Sequence, residues 1–299
     1  MIASRLRPFG TTIFSEMSAL AARTGAINLG DSYGATIALA GALRRLVTMR
    51  PPHFALDLDA LAAAAPGARM LVLNSPHNPT GRVLTRGELE GVARVCIDHD
   101  LIALCDEVYE HLAFEGEGEH IPLATLPGMA ERTLTISSAA KSFSFTGWKV
   151  GWCSGPPDLV AGVRAAKQFL SFSGATPLQV AVAGALADAE RHVAPLCAAR
   201  RAGRDRLCEG LLAAGLDVAV PQGGYFVNAD RPRVDDAREW CLALPERAGV
   251  VAIPTSAFYR DPDAGRTLVR FAFCKRPEVI DEAVARLVRA GRAGRAAVG

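Results

Sequence analysis

Neither sign of charge dominates this sequence of 299 residues: 33 lysines and arginines stand against 31 aspartates and glutamates, spread along the chain, for a formal net charge of +2. An electrostatic footprint for nucleic acid or for a membrane surface is therefore not expected, and the expected partner is a small molecule. None of the seven cysteines forms a CxxC pair, and an odd number cannot all pair within one chain, so they read as reduced thiols, as in a cytoplasm. The six histidines show no HExxH or similar ligand spacing, and no metal site is expected. No apolar run approaches the length of a membrane span. The opening MIASRLRPFGTTIF has two arginines and a proline where a signal peptide has its apolar core, so neither insertion nor export is expected. Internal repeats and low-complexity linkers are missing as well.

What is present is a composition that is half hydrophobic and about a fifth charged, that of a globular protein with a substantial core. From residue 69 to 155, short apolar runs end in polar turns: MLVLNSP (70–76), LIALCDEVY (101–109), RTLTISS (132–138) and KVGWCSG (149–155). They predict buried strands of a mainly parallel sheet in an α/β fold. Between the first two runs, Thr85 and Glu88 have the spacing of a capping box, and Leu89, Val92, Ala93 and Cys96 recur at helical spacing, completing a βαβ unit. Thr176 and Pro177 predict a helix that opens there and runs through Glu190, and a longer helical stretch follows to near Gly215. Strands at 216–220, 225–229, 250–254 and 268–274, with helices at 235–247 and after Pro277, predict a smaller α+β domain.

Three strings carry the chemistry. NSPHNPTG (74–81) puts Pro76 and Pro79 just after a strand, where they stiffen the backbone and hold Asn78. An Asn-Pro step alone also reads as an ordinary strand-ending loop; the eight-residue string is far more specific. DEVYEH (106–111) ends a buried run with Asp106, a charge that needs a cationic partner or a hydrogen-bonding site unless it marks a solvated strand end. SSAAKSFSFTGWKVGW (137–152) sets Lys141 among small and aromatic residues, which favour the uncharged amine able to attack an aldehyde. In open α/β sheets ligands collect outside the carboxyl ends of the strands, where all three strings fall.

In this order and spacing, and with SRLRPF, INLG, GVRAAKQ and VRFAFCK, these strings resemble the class I/II, fold-type I aminotransferases that use pyridoxal 5'-phosphate. Within them the chain resembles the kynurenine and methionine aminotransferase branch and the N-succinyldiaminopimelate aminotransferases. The resemblance implies an N-terminal arm over residues 1–30, a cofactor-binding large domain over 31–195 and a small domain over 196–299. It implies that Lys141 forms the Schiff base with the cofactor and later shuttles a proton. Asp106 would then pair with the pyridinium nitrogen, Asn78 and Tyr109 would bond the ring's phenolic oxygen, and Ser138 and Lys149 would hold the phosphate. Arg270 would take the substrate α-carboxylate, with Asn78 and Gly30 also at the substrate. Without that resemblance, Arg270 reads equally as an edge-strand arginine paired with a surface acid.

The implied activity is transfer of an amino group from an amino acid to a 2-oxo acid or semialdehyde, by a cytoplasmic homodimer. One departure stands out. Asn28, Leu29 and Gly30 run straight into DSYGATIALAGAL, without the intervening family segment that holds a Gly-Ala-Thr phosphate turn and a ring-stacking aromatic residue. Gly34, Ala35 and Thr36 spell that turn without its preceding strand, a match read as coincidence. Two alternatives stay open: a catalytically impaired or inactive truncated homologue, and a C–S β-lyase using the same lysine.

Overall fold

The computed structural model describes residues 40–114, 116, 118–230 and 236–296, and the chain divides into two compact units. Among the described residues, one lies over 54–201 and 222–224; the other takes in 40–53, 202–221, 225–230 and 236–296.

The first unit carries the three strings. Its helix α1 (Leu58–Ala64) is capped by the Asp57 carboxylate, which accepts from the Ala60 N–H at 2.8 Å. Strand β1 (Met70–Asn74) leads to helix α2 (Arg86–Asp98) and back into β2 (Ile102–Asp106), the expected βαβ unit. The capping box forms: Thr85 Oγ1 accepts from the Glu88 N–H, and the Glu88 carboxylate accepts from the Thr85 N–H at 2.8 Å. Leu89, Val92, Ala93 and Cys96 are the buried stripe, together with Gly91. Full burial of a side chain such as Leu89 or Val92 contributes about 2 kcal/mol. Gly91 gives room to Leu58 of α1, whose terminal methyl would lie 2.5 Å from a Cβ there and would have to shift.

Strand β3 (Thr133–Ser138) pairs parallel to β2, whereas β4 (Gly151–Ser154) pairs antiparallel to β3, giving the order β1-β2-β3-β4. The fourth run is thus the one strand that departs from the parallel pattern, because the turn at 139–150 that joins it to β3 holds no helix long enough to cross the sheet. That turn contains helix α3 (Ala139–Ser142). Beyond it lie α4 (Pro157–Leu170), α5 (Thr176–Leu186) and α6 (Ala189–Ala213). The helix expected from Thr176 through Glu190 is therefore two helices. Its last turn tightens, with the Asp188 N–H donating to Ala185 O, and the chain restarts at Ala189. Alanine-rich sequence on both sides of the break hides it from propensity.

In the other unit, β5 (Asp217–Ala219), β6 (Phe226–Asp230), β7 (Ile253–Pro254) and β8 (Leu268–Ala272) form an antiparallel sheet of order β5-β6-β8-β7. Helices α7 (Ala237–Ala248) and α8 (Pro277–Ala296) belong to the same unit. The run at 250–254 pairs only over its last two residues: Pro254 has no N–H to give, and a 3-10 turn follows at once. Among the described residues no helix is long and apolar enough to cross a membrane.

Candidate active site

Asn74, Asp106 and Ile136 are register partners across β1, β2 and β3, so NSPHNPTG, DEVYEH and SSAAK all leave the sheet at its carboxyl edge. The first two are tied directly. Asn74 Nδ2 donates to the backbone carbonyl of Asp106 at 2.8 Å, and Asn74 Oδ1 accepts from the Asn78 N–H at 2.7 Å. Only one orientation of the amide satisfies both bonds. The loop beyond is closed on itself: the Gly81 N–H donates to His77 O, the His77 N–H to Arg82 O, and His77 Nδ1 lies 2.9 Å from Thr80 Oγ1. Asn78 is held at the sheet edge by this turn and by Asn74.

Asp106 is buried, and its Oδ1 accepts from the Val108 N–H at 3.3 Å. Burial pushes its carboxyl up, against the pull of that N–H and of the Lys141 charge, while the Glu107 charge adds to the push. Among the described residues no ion pair is made to it. Tyr109 is buried, and Lys141 Nζ lies 5.7 Å from the centroid of its ring.

Lys141 is half-buried on α3, whose N-terminus is capped by Ser138: Oγ accepts from the Ala140 N–H and donates to Val150 O, each at 3.2 Å. Ser138 faces Gly151 in the β3–β4 register, and Lys149 precedes that glycine by two residues in a left-handed conformation, φ 56. A side chain at Gly151 would meet Ser137 O at 2.8 Å, so glycine is what lets the strand that follows Lys149 approach β3.

Asn78, Asp106, Tyr109, Ser138, Lys141 and Lys149 therefore belong to one edge of one sheet. Arg270 lies in the other unit, on the inner strand β8, and is 0 % exposed, so the edge-strand reading does not hold. Its guanidinium carbon sits 4.1 Å from the ring centroid of Phe226 and 4.5 Å from that of Phe258. Gly30 and the string at 34–36 lie outside the described residues.

Sequence reasoning missed three participants. Asn74 stood inside the first string without an assigned role. Ser137 and Glu110, joined by a hydrogen bond, tie the strand before Lys141 to the turn after Tyr109. A polar residue at the last position of a buried strand was the available signal for Asn74.

The donor set fits a pyridoxal phosphate. A buried carboxylate with one backbone donor and no ion pair suits a protonated ring nitrogen; Asn78 and Tyr109 offer hydrogen-bond donors; Ser138 and Lys149 offer a hydroxyl and a cation for a phosphate; Lys141 offers the amine. Among the described residues no group of three His, Cys, Asp or Glu is placed to hold a metal ion.

The model of the family aminotransferase class I and II matches residues 31–287. The probable N-succinyldiaminopimelate aminotransferase DapC of Mycobacterium tuberculosis is 42% identical over 390 residues, covering 96% of this chain and 98% of that one. That alignment is longer than the 299-residue chain, so the relative carries positions that have no counterpart here. The methionine aminotransferase of Escherichia coli is 35% identical over 260 residues, covering 86% of this chain and 67% of that one. Among solved structures, the N-succinyldiaminopimelate aminotransferase from Mycobacterium tuberculosis superposes with a TM-score of 0.92 at 41% identity, covering 97% of this chain and 100% of that one.

Proposed function

The chain belongs to the class I and II aminotransferase family and is a pyridoxal phosphate-dependent aminotransferase of fold type I, and from that premise we propose that it acts on N-succinyldiaminopimelate and its semialdehyde partner, with a 2-oxo acid as the other substrate. The observation that carries this reading is the 42% identity to the Mycobacterium tuberculosis relative along nearly the whole of both chains. We further propose a homodimer.

When bound, the cofactor supplies an aldehyde for the substrate amine and a ring that takes up the electron pair left at the α-carbon. The rest is the work of this chain. Asp106 holds a proton at the ring nitrogen; its buried carboxylate gains a cationic partner there, and the attraction is strengthened by exclusion of water. Lys141 Nζ would accept the proton leaving the substrate α-carbon and hold it for return. Asn78 and Tyr109 orient the ring through its oxygen, and Ser138 with Lys149 anchors the phosphate. Lys149 does so as a point charge, where an arginine would present a planar fork. Arg270 takes the substrate α-carboxylate bidentately, with the rings of Phe226 and Phe258 against its guanidinium.

The test is steady-state transamination by the purified protein, supplied with pyridoxal phosphate and 2-oxoglutarate. The reading expects kcat/KM for N-succinyldiaminopimelate to exceed that for methionine and for kynurenine by on the order of tenfold or more, about 1.4 kcal/mol. Equal or higher values for either of the other two contradict the substrate assignment. Pyruvate release from a β-substituted amino acid, assayed in parallel, measures lyase chemistry with the same lysine.

A further inference from the structure

Asp106 and Glu107 are consecutive residues of an extended segment, so their side chains leave opposite faces of the sheet. Glu107 is nonetheless 3% exposed, an acid buried behind the site rather than in it. Its Oε2 accepts from His120 Nε2 at 3.1 Å and its Oε1 from the Leu123 N–H at 3.2 Å, so both oxygens have donors. The backbone of the same residue is fixed on both sides: its N–H donates to Ile136 O of β3 at 2.9 Å, and its carbonyl accepts from the Glu110 N–H at 2.8 Å. His120 is equally enclosed, and its Nδ1 is buried with no hydrogen bond. A proton on Nδ1 would be left without an acceptor, so the ring presents Nε2–H to Glu107.

We propose that Glu107 and His120 form a buried brace that holds Asp106 and Tyr109 in place, so that Glu107 and His120 are positioning residues for amino transfer although neither touches the cofactor or the substrate. The proposal rests on the role given to Asp106 above. Glu107 lies between the two residues it serves, and its four bonds reach three segments: the turn at Glu110, the loop at 120–123 and strand β3. The strand end therefore has no freedom to tilt Asp106 away from a bound ring. The brace also sets a fixed negative charge beside Asp106. The titratable groups near that charge are Asp106, Cys105 and His120, with Lys141 facing Asp106 from α3. After burial, which is the larger cause, the Glu107 charge pushes both Asp106 and Cys105 up. Negative charge near the ring nitrogen favours its protonated form.

The experiment compares Glu107→Gln, His120→Gln and His120→Phe with wild type and with Asp106→Asn. It reads the dissociation constant for pyridoxal phosphate added to the cofactor-free protein, the kcat and KM of the loaded enzyme, and the melting curve. Glu107→Gln keeps the shape but forces the brace to lose a charge and one hydrogen bond. His120→Gln keeps a donor to Glu107, and His120→Phe removes it. The expected result is weaker cofactor binding and lower kcat, each on the order of tenfold, the lower end of what losing an outer partner costs at metal sites. This loss is expected in Glu107→Gln and His120→Phe with KM for the amino acid unchanged, and His120→Gln is expected within about twofold of wild type.

Wild-type cofactor affinity and kcat in a folded Glu107→Gln overturn the brace. If Glu107→Gln does not fold, the His120 pair decides, and equal values for His120→Gln and His120→Phe overturn it. Should Asp106→Asn itself bind the cofactor and turn over like wild type, the role of Asp106 falls and the brace falls with it. An effect in Asp106→Asn without one in Glu107→Gln removes the brace alone.

Discussion

The side chain of Asn74 joins two strings of the site that are 32 residues apart, donating to the carbonyl of Asp106 at 2.8 Å while accepting from the Asn78 N–H at 2.7 Å. Losing it removes the side-chain acceptor of the Asn78 N–H and one of two donors to the Asp106 carbonyl, which keeps the Ser75 N–H at 3.3 Å, at a cost of about 1 kcal/mol. Asn74→Ala is expected to lower Tm accordingly and to weaken pyridoxal phosphate binding. Asn74→Asp, which accepts from Asn78 but cannot donate to Asp106, is expected to fare no better. Melting curves and cofactor titrations of the two variants check this, and unchanged binding in both would remove Asn74 from the site.

Asp106 presents a trade between stability and function. Burial raises its proton affinity in the folded chain. The fold therefore penalises its ionised form, a penalty present above the folded value and relieved as pH falls through it. Asp106→Asn keeps an oxygen for the Val108 N–H and has no charge to bury. Cofactor-free Asp106→Asn is expected to melt about 2–4 °C above wild type at neutral pH, for roughly 1 kcal/mol gained. Its kcat is expected to fall on the order of a hundredfold, the scale of losing one electrostatic contact to the reacting centre. A variant that melts lower at neutral pH argues against the penalty.

His77 sets a pH dependence of the usual acid kind. Burial lowers it from 6.5 to about 4. Its folded value lies below its unfolded one, so the unfolded chain binds the extra proton between those limits. The contribution to stability is complete above about 6.5 and is lost as pH falls toward about 4. Melting temperatures measured across that window are expected to rise with pH in wild type and to rise less steeply in His77→Gln.

Much of this was legible in the sequence where the signal is local. The capping box at Thr85 and Glu88, the stripe from Leu89 to Cys96, and the polar ends of β1, β2 and β3 all appear where short-range pattern places them. The bonds that assemble the site are not local. Asn74 to Asp106, Ser137 to Glu110 and Glu107 to His120 span 32, 27 and 13 residues and leave no periodicity behind. The direction of β4 was hidden for a different reason: an apolar run reads the same whether it pairs parallel or antiparallel. Arg270 likewise carried no sign that β8 is an inner strand until its neighbours β6 and β7 were in place.

Arg270 has its guanidinium carbon over the rings of both Phe226 and Phe258, contacts in which a guanidinium offers its flat face as well as its charge. Arg270→Lys keeps the charge and loses the face and the fork. KM for the amino acid and for the 2-oxo acid is expected to rise together, by on the order of tenfold to a hundredfold, because both substrates bring a carboxylate to the same group. Isothermal titration with a dicarboxylate inhibitor and initial-rate kinetics check it; a change confined to kcat would place Arg270 elsewhere in the reaction.

The central claim is that Lys141 holds the cofactor on this chain. It is tested most directly by the absorbance spectrum of the purified protein, recorded after addition of pyridoxal phosphate and gel filtration, for wild type and for Lys141→Ala. Wild type is expected to retain a visible band that is displaced by an added amino acid and is missing from Lys141→Ala. Wild-type protein that emerges colourless, or a Lys141→Ala variant with the same band, would contradict it.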